Sequence, residues 1–273
     1  MRFGWIAKIL CVAIAFSGAA HAHDFWIQPS AFRTTPGSRI DLRFLIGEPG
    51  AVEHWATEWR KVVSLQDFGP HRVIDELASI QPLDDAEPTI QRIDASFALS
   101  EVGTHIIAFT SAHAANDLDS AAFNDYVEHE GLVLIREHRR LKGRTGEHGR
   151  ELYSRRAKAL VQVGDVITDT VSQPIGQTLE IVPPINPYLL KANEPLRARI
   201  WFHGRPLAGA SVVLESLGPQ ATHGTPIVSD QDGMVTFHPP GAGAWKINVV
   251  WSYPITDPRA EYETIFASLS FSR

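Results

Sequence analysis

The chain has 273 residues, with 25 Lys or Arg against 31 Asp or Glu, and a formal net charge of −6. That acidic balance excludes general nucleic-acid binding, which depends on a basic surface. A single cysteine, Cys11, excludes an internal disulfide framework and a thiolate metal site. Met1-Arg2-Phe3 and Lys8 precede an apolar run from Ile9 to Phe16, which ends at Ala20-His21-Ala22. A positive start, a short apolar core and a small-x-small triplet define a secretory signal peptide over residues 1–22. The run is shorter than the roughly 20 residues a membrane span needs, and no comparable run occurs later in the chain. The expected location is therefore periplasmic or secreted, with no membrane span. Ile9 and Leu10 before Cys11 do not suit a lipoprotein cut. Removal of residues 1–22 leaves 251 residues with a net charge of −8. That length allows one large domain or two small ones.

Most of the mature chain reads as strand, in short Val-, Ile-, Phe- and Trp-rich runs punctuated by Pro and Gly. Residues 39–46 alternate polar and apolar between two Pro-Gly turns, as a half-buried strand does. Residues 104–110 form another, with His105, Ile107 and Phe109 on one face by period two. Residues 121–141 read as a helix with Phe123, Val127, Leu134 and Leu141 near one face. Gly143-Arg144-Thr145-Gly146 ends it, and a second helix is predicted over 147–160 from Tyr153, Ala157 and Leu160. This pair is a helical hairpin inserted in the first β domain. Between Arg136 and Lys158 it carries nine basic residues against Glu137, Glu147 and Glu151. Such a patch suits an acidic protein or an envelope partner.

Later strands are predicted at 161–163 and 178–182. Pro183-Pro184-Ile185-Asn186-Pro187 then reads as a linker, since proline favours extended, unpaired backbone. Beyond it, strands at 196–203, 210–214, 245–249 and 267–271 are separated by turns. Asp230-Gln231-Asp232-Gly233 is read as a tight turn rather than a calcium loop, because the remaining ligands of such a loop are missing. The predicted fold is mainly β: two β-sandwich domains, Ig-like or transthyretin-like, with the hairpin inserted in the first at about 121–160. The first domain is placed at 23–183 and the second at 184–273.

An ordered set of motifs runs through nearly the whole mature chain. It includes His23-Asp24-Phe25-Trp26, Phe123-Asn124-Asp125-Tyr126, Leu179-Glu180-Ile181-Val182-Pro183, Gly204-Arg205-Pro206-Leu207-Ala208-Gly209 and Ala267-Ser268-Leu269-Ser270-Phe271. With these, the chain resembles a family of secreted bacterial proteins of unknown function that has carried a nickel- or cobalt-uptake label. The resemblance implies a periplasmic protein linked to divalent metal handling, with a metal transporter as partner. The C-terminal part also resembles the small sandwich of carboxypeptidase regulatory domains.

The chemistry points the same way. There is no nucleophile elbow, Walker loop, dinucleotide fingerprint or His-Glu-x-x-His motif, which favours a binding protein over an enzyme. Cleavage after Ala22 makes His23 the first residue, and its α-amine and ring Nδ1 can grip one metal ion as a chelate. Two nitrogen ligands suit Cu²⁺ or Ni²⁺, which stand highest in the divalent affinity order. A further ligand must come from a distant strand. His113 and His105 are the candidates within the same domain, with Asp24 and Glu263 as oxygen donors. His129 and His138 are read as lying on one helix on roughly opposite faces, poor co-ligands for each other. Two other readings remain open. One is a non-enzymatic interaction module docking through the hairpin. The other is an N-terminal-histidine copper oxygenase, for which Trp26, Trp55 and Trp59 would supply an aromatic face.

Overall fold

The computed structural model describes residues 24–83, 90–191, 193–218, 221 and 223–273. The predicted signal peptide and His23 lie outside them.

The structure is mainly β, in three layers. The middle layer is a ten-stranded sheet. Its path runs Ile227–Val228, Ser211–Ser216, Ala244–Asp257, Ala260–Ser272, Gly149–Val163, Gly103–Ser111, Val62–Phe68 and Val73–Asp75. The chain segments on either side of the Pro-rich junction thus share one sheet. They join where Ala260–Ser272 pairs in parallel with Gly149–Val163, from Glu151 opposite Tyr262 to Ala159 opposite Ser270. Every other main pairing on that path is antiparallel.

Alternation assigns the faces, because successive strand side chains point to opposite sides. On one face, Ile265, Ala267, Leu269 and Phe271 meet Ile247 and Val249 in a core against the four-stranded sheet Leu179–Val182, Leu196–Phe202, Arg205–Pro206 and Met234–Phe237. On the other, Ala157, Ala159, Val161 and Val163 pack with Ile107 and Phe109 under a six-stranded sheet. That sheet is built on Phe25–Pro29, Ser38–Glu48 and Gln91–Leu99. Farther along this second face, Tyr262, Phe266 and Val250 are covered by two helices. Full burial of each large apolar side chain stabilises by about 1.5–3 kcal/mol, so these three clusters set the layer order.

The helical hairpin is real but lies earlier than predicted. Helix α1 spans Ser120–His129 and α2 spans Val133–Leu141. Asp119 caps α1 by accepting from the Ala122 N–H at 2.9 Å. Gly131, at φ 65°, turns the chain between them. The break shifts the helical phase. Phe123 and Val127 are buried as expected, but Ile135 takes the inner position of α2, and Leu134 and Leu141 face solvent.

The second predicted helix is instead the strand Gly149–Val163. It lies in the middle of the sheet, hydrogen-bonded to strands on both sides and covered on both faces. Such a strand has no polar-out alternation, so its apolar spacing can pass for a helical stripe. The other predicted strands coincide with observed ones to within a residue at their ends or lie inside them. The junction at 183–187 is not a plain extended linker: it bends at residues 184–185, Pro187 opens a short 3-10 helix, Pro187–Leu189, and it is pinned rather than free. Asn186 Nδ2 donates to Thr104 Oγ1 at 2.8 Å and to the Thr168 carbonyl at 2.7 Å. The Tyr188 hydroxyl reaches the Leu160 carbonyl at 2.9 Å. Asp230 to Gly233 is a turn, with Asp230 Oδ1 accepting from the N–H groups of Asp232 and Met234.

Candidate functional site

The strand Phe25–Pro29 pairs with Ser38–Glu48 and sends Phe25 and Ile27 into the core. Asp24, just before it, is held by three groups. The Gly47 N–H donates to its carbonyl at 3.0 Å. Its carboxylate takes Lys246 Nζ at 2.8 Å and also accepts from Asn248 Nδ2. Lys246 and Asn248 face this way because Trp245, Ile247 and Val249 on the same strand fill the opposite core. Lys246 is 2 % exposed. It also pairs with Glu215 at 2.9 Å and lies 4.2 Å over the Trp26 ring.

Beside this cluster lies a cavity of about 270 Å³, lined by Asp24, Glu48, His129, Glu130, Glu215 and His223 among others. Two imidazoles converge on one carboxylate there. His129 Nε2 is 3.9 Å and His223 Nε2 is 3.7 Å from Glu48, while His223 Nδ1 is 3.4 Å from Glu215. The four acids have one buried cation, Lys246, among them. Burial pushes the Asp24 carboxyl up; Lys246 opposes this, while the Glu215 and Glu48 charges add to it. Burial, then the charges of Asp24, Glu48 and Glu151, holds Glu130 well above the usual carboxylate range. Among the described residues, no three His, Asp or Glu side chains are already drawn together at metal-holding distance.

The histidines singled out in the sequence lie elsewhere. His105 is 1 % exposed, with both ring nitrogens in use. Nδ1 is 2.7 Å from Asp67 Oδ1, and Nε2 is 2.8 Å from the Glu101 carbonyl. Burial alone would depress its pKa, but the hydrogen bond and charge of Asp67 outweigh this and raise it. His113 is 2.9 Å from Glu263. Glu263 sits on the opposite face of the middle sheet from Lys246 and Asn248, as its register with Tyr253 shows. His113 and Glu263 are therefore partners of each other and not of Asp24. His129 and His138 are on separate helices, and His138 Nδ1 meets the Tyr262 hydroxyl at 3.2 Å. Nothing in residue spacing marks Glu48, His129, Glu130, Glu215 and His223 as one group, because they come from four separate segments.

The basic run of the hairpin is not a common exposed face. Arg139 and Lys158 are buried. Arg139 lies over the Phe123 ring and donates to Asn124, Glu147 and His148. Arg136, Arg140, Arg144 and Arg150 pair with Glu128, Glu137, Glu147 and Glu261. Trp26 and Trp55 are also buried, 2 % and 5 % exposed, so they form no flat aromatic platform.

The chain belongs to a family defined only as a domain of unknown function, DUF4198, whose model matches residues 20–253. No curated protein matches it. Among solved structures, one similar chain is a DUF4785 family protein from Legionella pneumophila subsp. pneumophila str. Philadelphia 1. It has 9 % identity and a TM-score of 0.26, over 82 % of this chain and 50 % of that one. Another is dimeric latent PorU from Porphyromonas gingivalis, with 11 % identity and a TM-score of 0.20, over 89 % of this chain and 20 % of that one. The chain thus spans half of the first and a fifth of the second. No helix among the described residues is long and apolar enough to cross a membrane.

Proposed function

We propose that the protein is a periplasmic binder of one divalent metal ion, Cu²⁺ or Ni²⁺, that uses His23 as its mature amino terminus. The observation that carries this reading is the acidic, two-histidine cavity beside Asp24, because Asp24 is bonded directly to His23. A free α-amine and imidazole would supply two nitrogens, and His129 or His223 a third. The carboxylates of Glu48 and Glu215 favour a cation in the cavity. The resemblance to a family with a nickel- or cobalt-uptake label supports delivery to a metal transporter. We also read the architecture as two sandwiches, Ig-like or transthyretin-like, divided at 183/184 and sharing the middle sheet.

The test uses protein secreted through its own signal, with the amino terminus read by mass spectrometry. Calorimetry with Cu²⁺ and Ni²⁺ is expected to give one site, and Cu²⁺ a nitrogen-rich paramagnetic spectrum. One extra residue before His23 is expected to abolish binding, since it converts the amine to an amide and keeps the imidazole. A His129→Ala, His223→Ala double variant is expected to weaken it. Affinity that survives both changes unaltered would refute the reading.

A further inference from the structure

Arg155 lies in a setting that folding alone does not explain. Its strand, Gly149–Val163, turns Arg155 toward the six-stranded sheet, on the same face as Ala157 and Ala159. Its guanidinium carbon lies 5.0 Å from the Tyr153 ring centroid, 5.5 Å from Trp55, 5.6 Å from Phe25 and 5.9 Å from Phe266. Four aromatic rings thus surround one cation. Ring faces attract a cation but do not accept from its N–H donors, and the Tyr153 hydroxyl is the one side-chain acceptor the guanidinium has among the described residues. The buried Nε has no hydrogen-bond partner, and Arg155 forms no ion pair with any described residue. The nearby acids are committed elsewhere. Glu151 accepts from Thr264 at 2.6 Å and from Tyr126 at 3.4 Å, and Glu58 pairs with Arg60 and Lys61. Arginine keeps its charge in such surroundings, so the cage holds a cation that feels the Glu151 charge but has no carboxylate in salt-bridge contact among the described residues.

The cage opens on a cavity of about 400 Å³. Arg155 and Tyr153 line it, and Ile46, Trp55, Ile90 and Ala112 supply apolar wall. Lys61 adds a second cation to its lining. Glu53 and Glu58 also line it, Glu58 being held by Arg60 and Lys61, so a pocket of this size offers a ligand an apolar wall on one side and the Arg155 guanidinium on the other. We propose that it binds a small organic carboxylate, with the anionic end on the Arg155 guanidinium and the apolar body against Trp55 and Ile46. A planar carboxylate matches the two-pronged donor geometry of a guanidinium. The apolar wall offers nothing to a bare inorganic anion, which sets the two sources of negative charge apart.

The experiment titrates the mature full-length protein with benzoate, acetate and phosphate, following tryptophan fluorescence and ligand-observed NMR. Benzoate is expected to saturate with a Kd of about 1 mM or tighter, and acetate to bind roughly tenfold more weakly. Phosphate is expected not to saturate. Arg155→Met is expected to abolish saturation. Ala112→Trp, which fills the cavity and leaves Arg155 in place, is expected to do the same and decides the matter if Arg155→Met does not fold. Absence of saturable benzoate binding would overturn the proposal. So would tighter binding of phosphate than benzoate, or benzoate binding unchanged by Ala112→Trp.

Discussion

Lys158 and Glu180 make an ion pair in the core, each 2 % exposed or less, with Nζ 2.9 Å from Oε1. They join the middle sheet to the four-stranded sheet. The pair is not symmetric. Glu180 also accepts from the Ile175 N–H at 2.7 Å and the Gly176 N–H at 3.1 Å, whereas Lys158 Nζ has only Glu180 among the described residues. Removing one partner of a buried pair costs about 3–5 kcal/mol. Lys158→Met leaves a carboxylate that still has two N–H donors, which places it near the low end, at about 3 kcal/mol. Glu180→Leu strands an ammonium and two backbone donors at once, each orphan adding about 1 kcal/mol or more. It therefore belongs at about 5 kcal/mol or above. In a domain of this size 1 kcal/mol moves Tm by roughly 2–4 °C. The expected drops are about 6–12 °C for Lys158→Met and about 10–20 °C for Glu180→Leu. The double variant is expected to fall between wild type and Glu180→Leu, since it buries no lone charge. Thermal and urea unfolding followed by circular dichroism at pH 7 measure all three. Equal losses in the two single variants, or a double variant that loses their sum, would refute the argument.

His105 gives a pH prediction. Its pKa in the folded protein is raised by Asp67, against about 6.5 in the unfolded chain. A raised value stabilises fully below the unfolded pKa and ceases to as pH rises through the folded one. The gap in urea midpoint between wild type and His105→Gln is therefore expected to be wider near pH 5.5 than near pH 8, and an equal gap would count against it. Gly149→Ala is expected to cost about 1–3 kcal/mol, because a Cβ built there falls inside the Phe123 ring. Faster amide exchange across 120–141 would show that the hairpin has lifted. Asp119→Ala removes the α1 cap and is expected to cost about 1 kcal/mol, read from the same melts. A chain ending at Val182 is expected to show no cooperative unfolding, since Gly149–Val163 then loses the strand it pairs with along Glu151 to Ala159.

The mainly β character was legible because turns and strand runs are local signals. The 196–203 strand and the turn at Asp230 to Gly233 rest on nothing beyond their own residues. Gly149–Val163 was not legible, because its conformation comes from partners more than 100 residues away in Ala260–Ser272. The split of the hairpin turned on Gly131, whose positive φ shifts the helical phase by one break. The grouping of His129, His223 and Glu48 likewise depends on tertiary placement. The charge run at 136–158 was misleading for the same reason: sequence counts charges but does not show that Arg139 and Lys158 point inward.

The parallel join between Gly149–Val163 and Ala260–Ser272 also bears on the order in which the protein can form. A chain that emerges amino end first from synthesis brings residues 149–163 out long before residues 260–272. Until the later strand arrives, the earlier one has an open edge at what will become the centre of the sheet, and open edges recruit other chains. Such long-range pairing closes slowly. Exposure of that edge before residues 260–272 have emerged is then a vulnerable stage in the life of this molecule, and a holding chaperone acting on that edge would protect it.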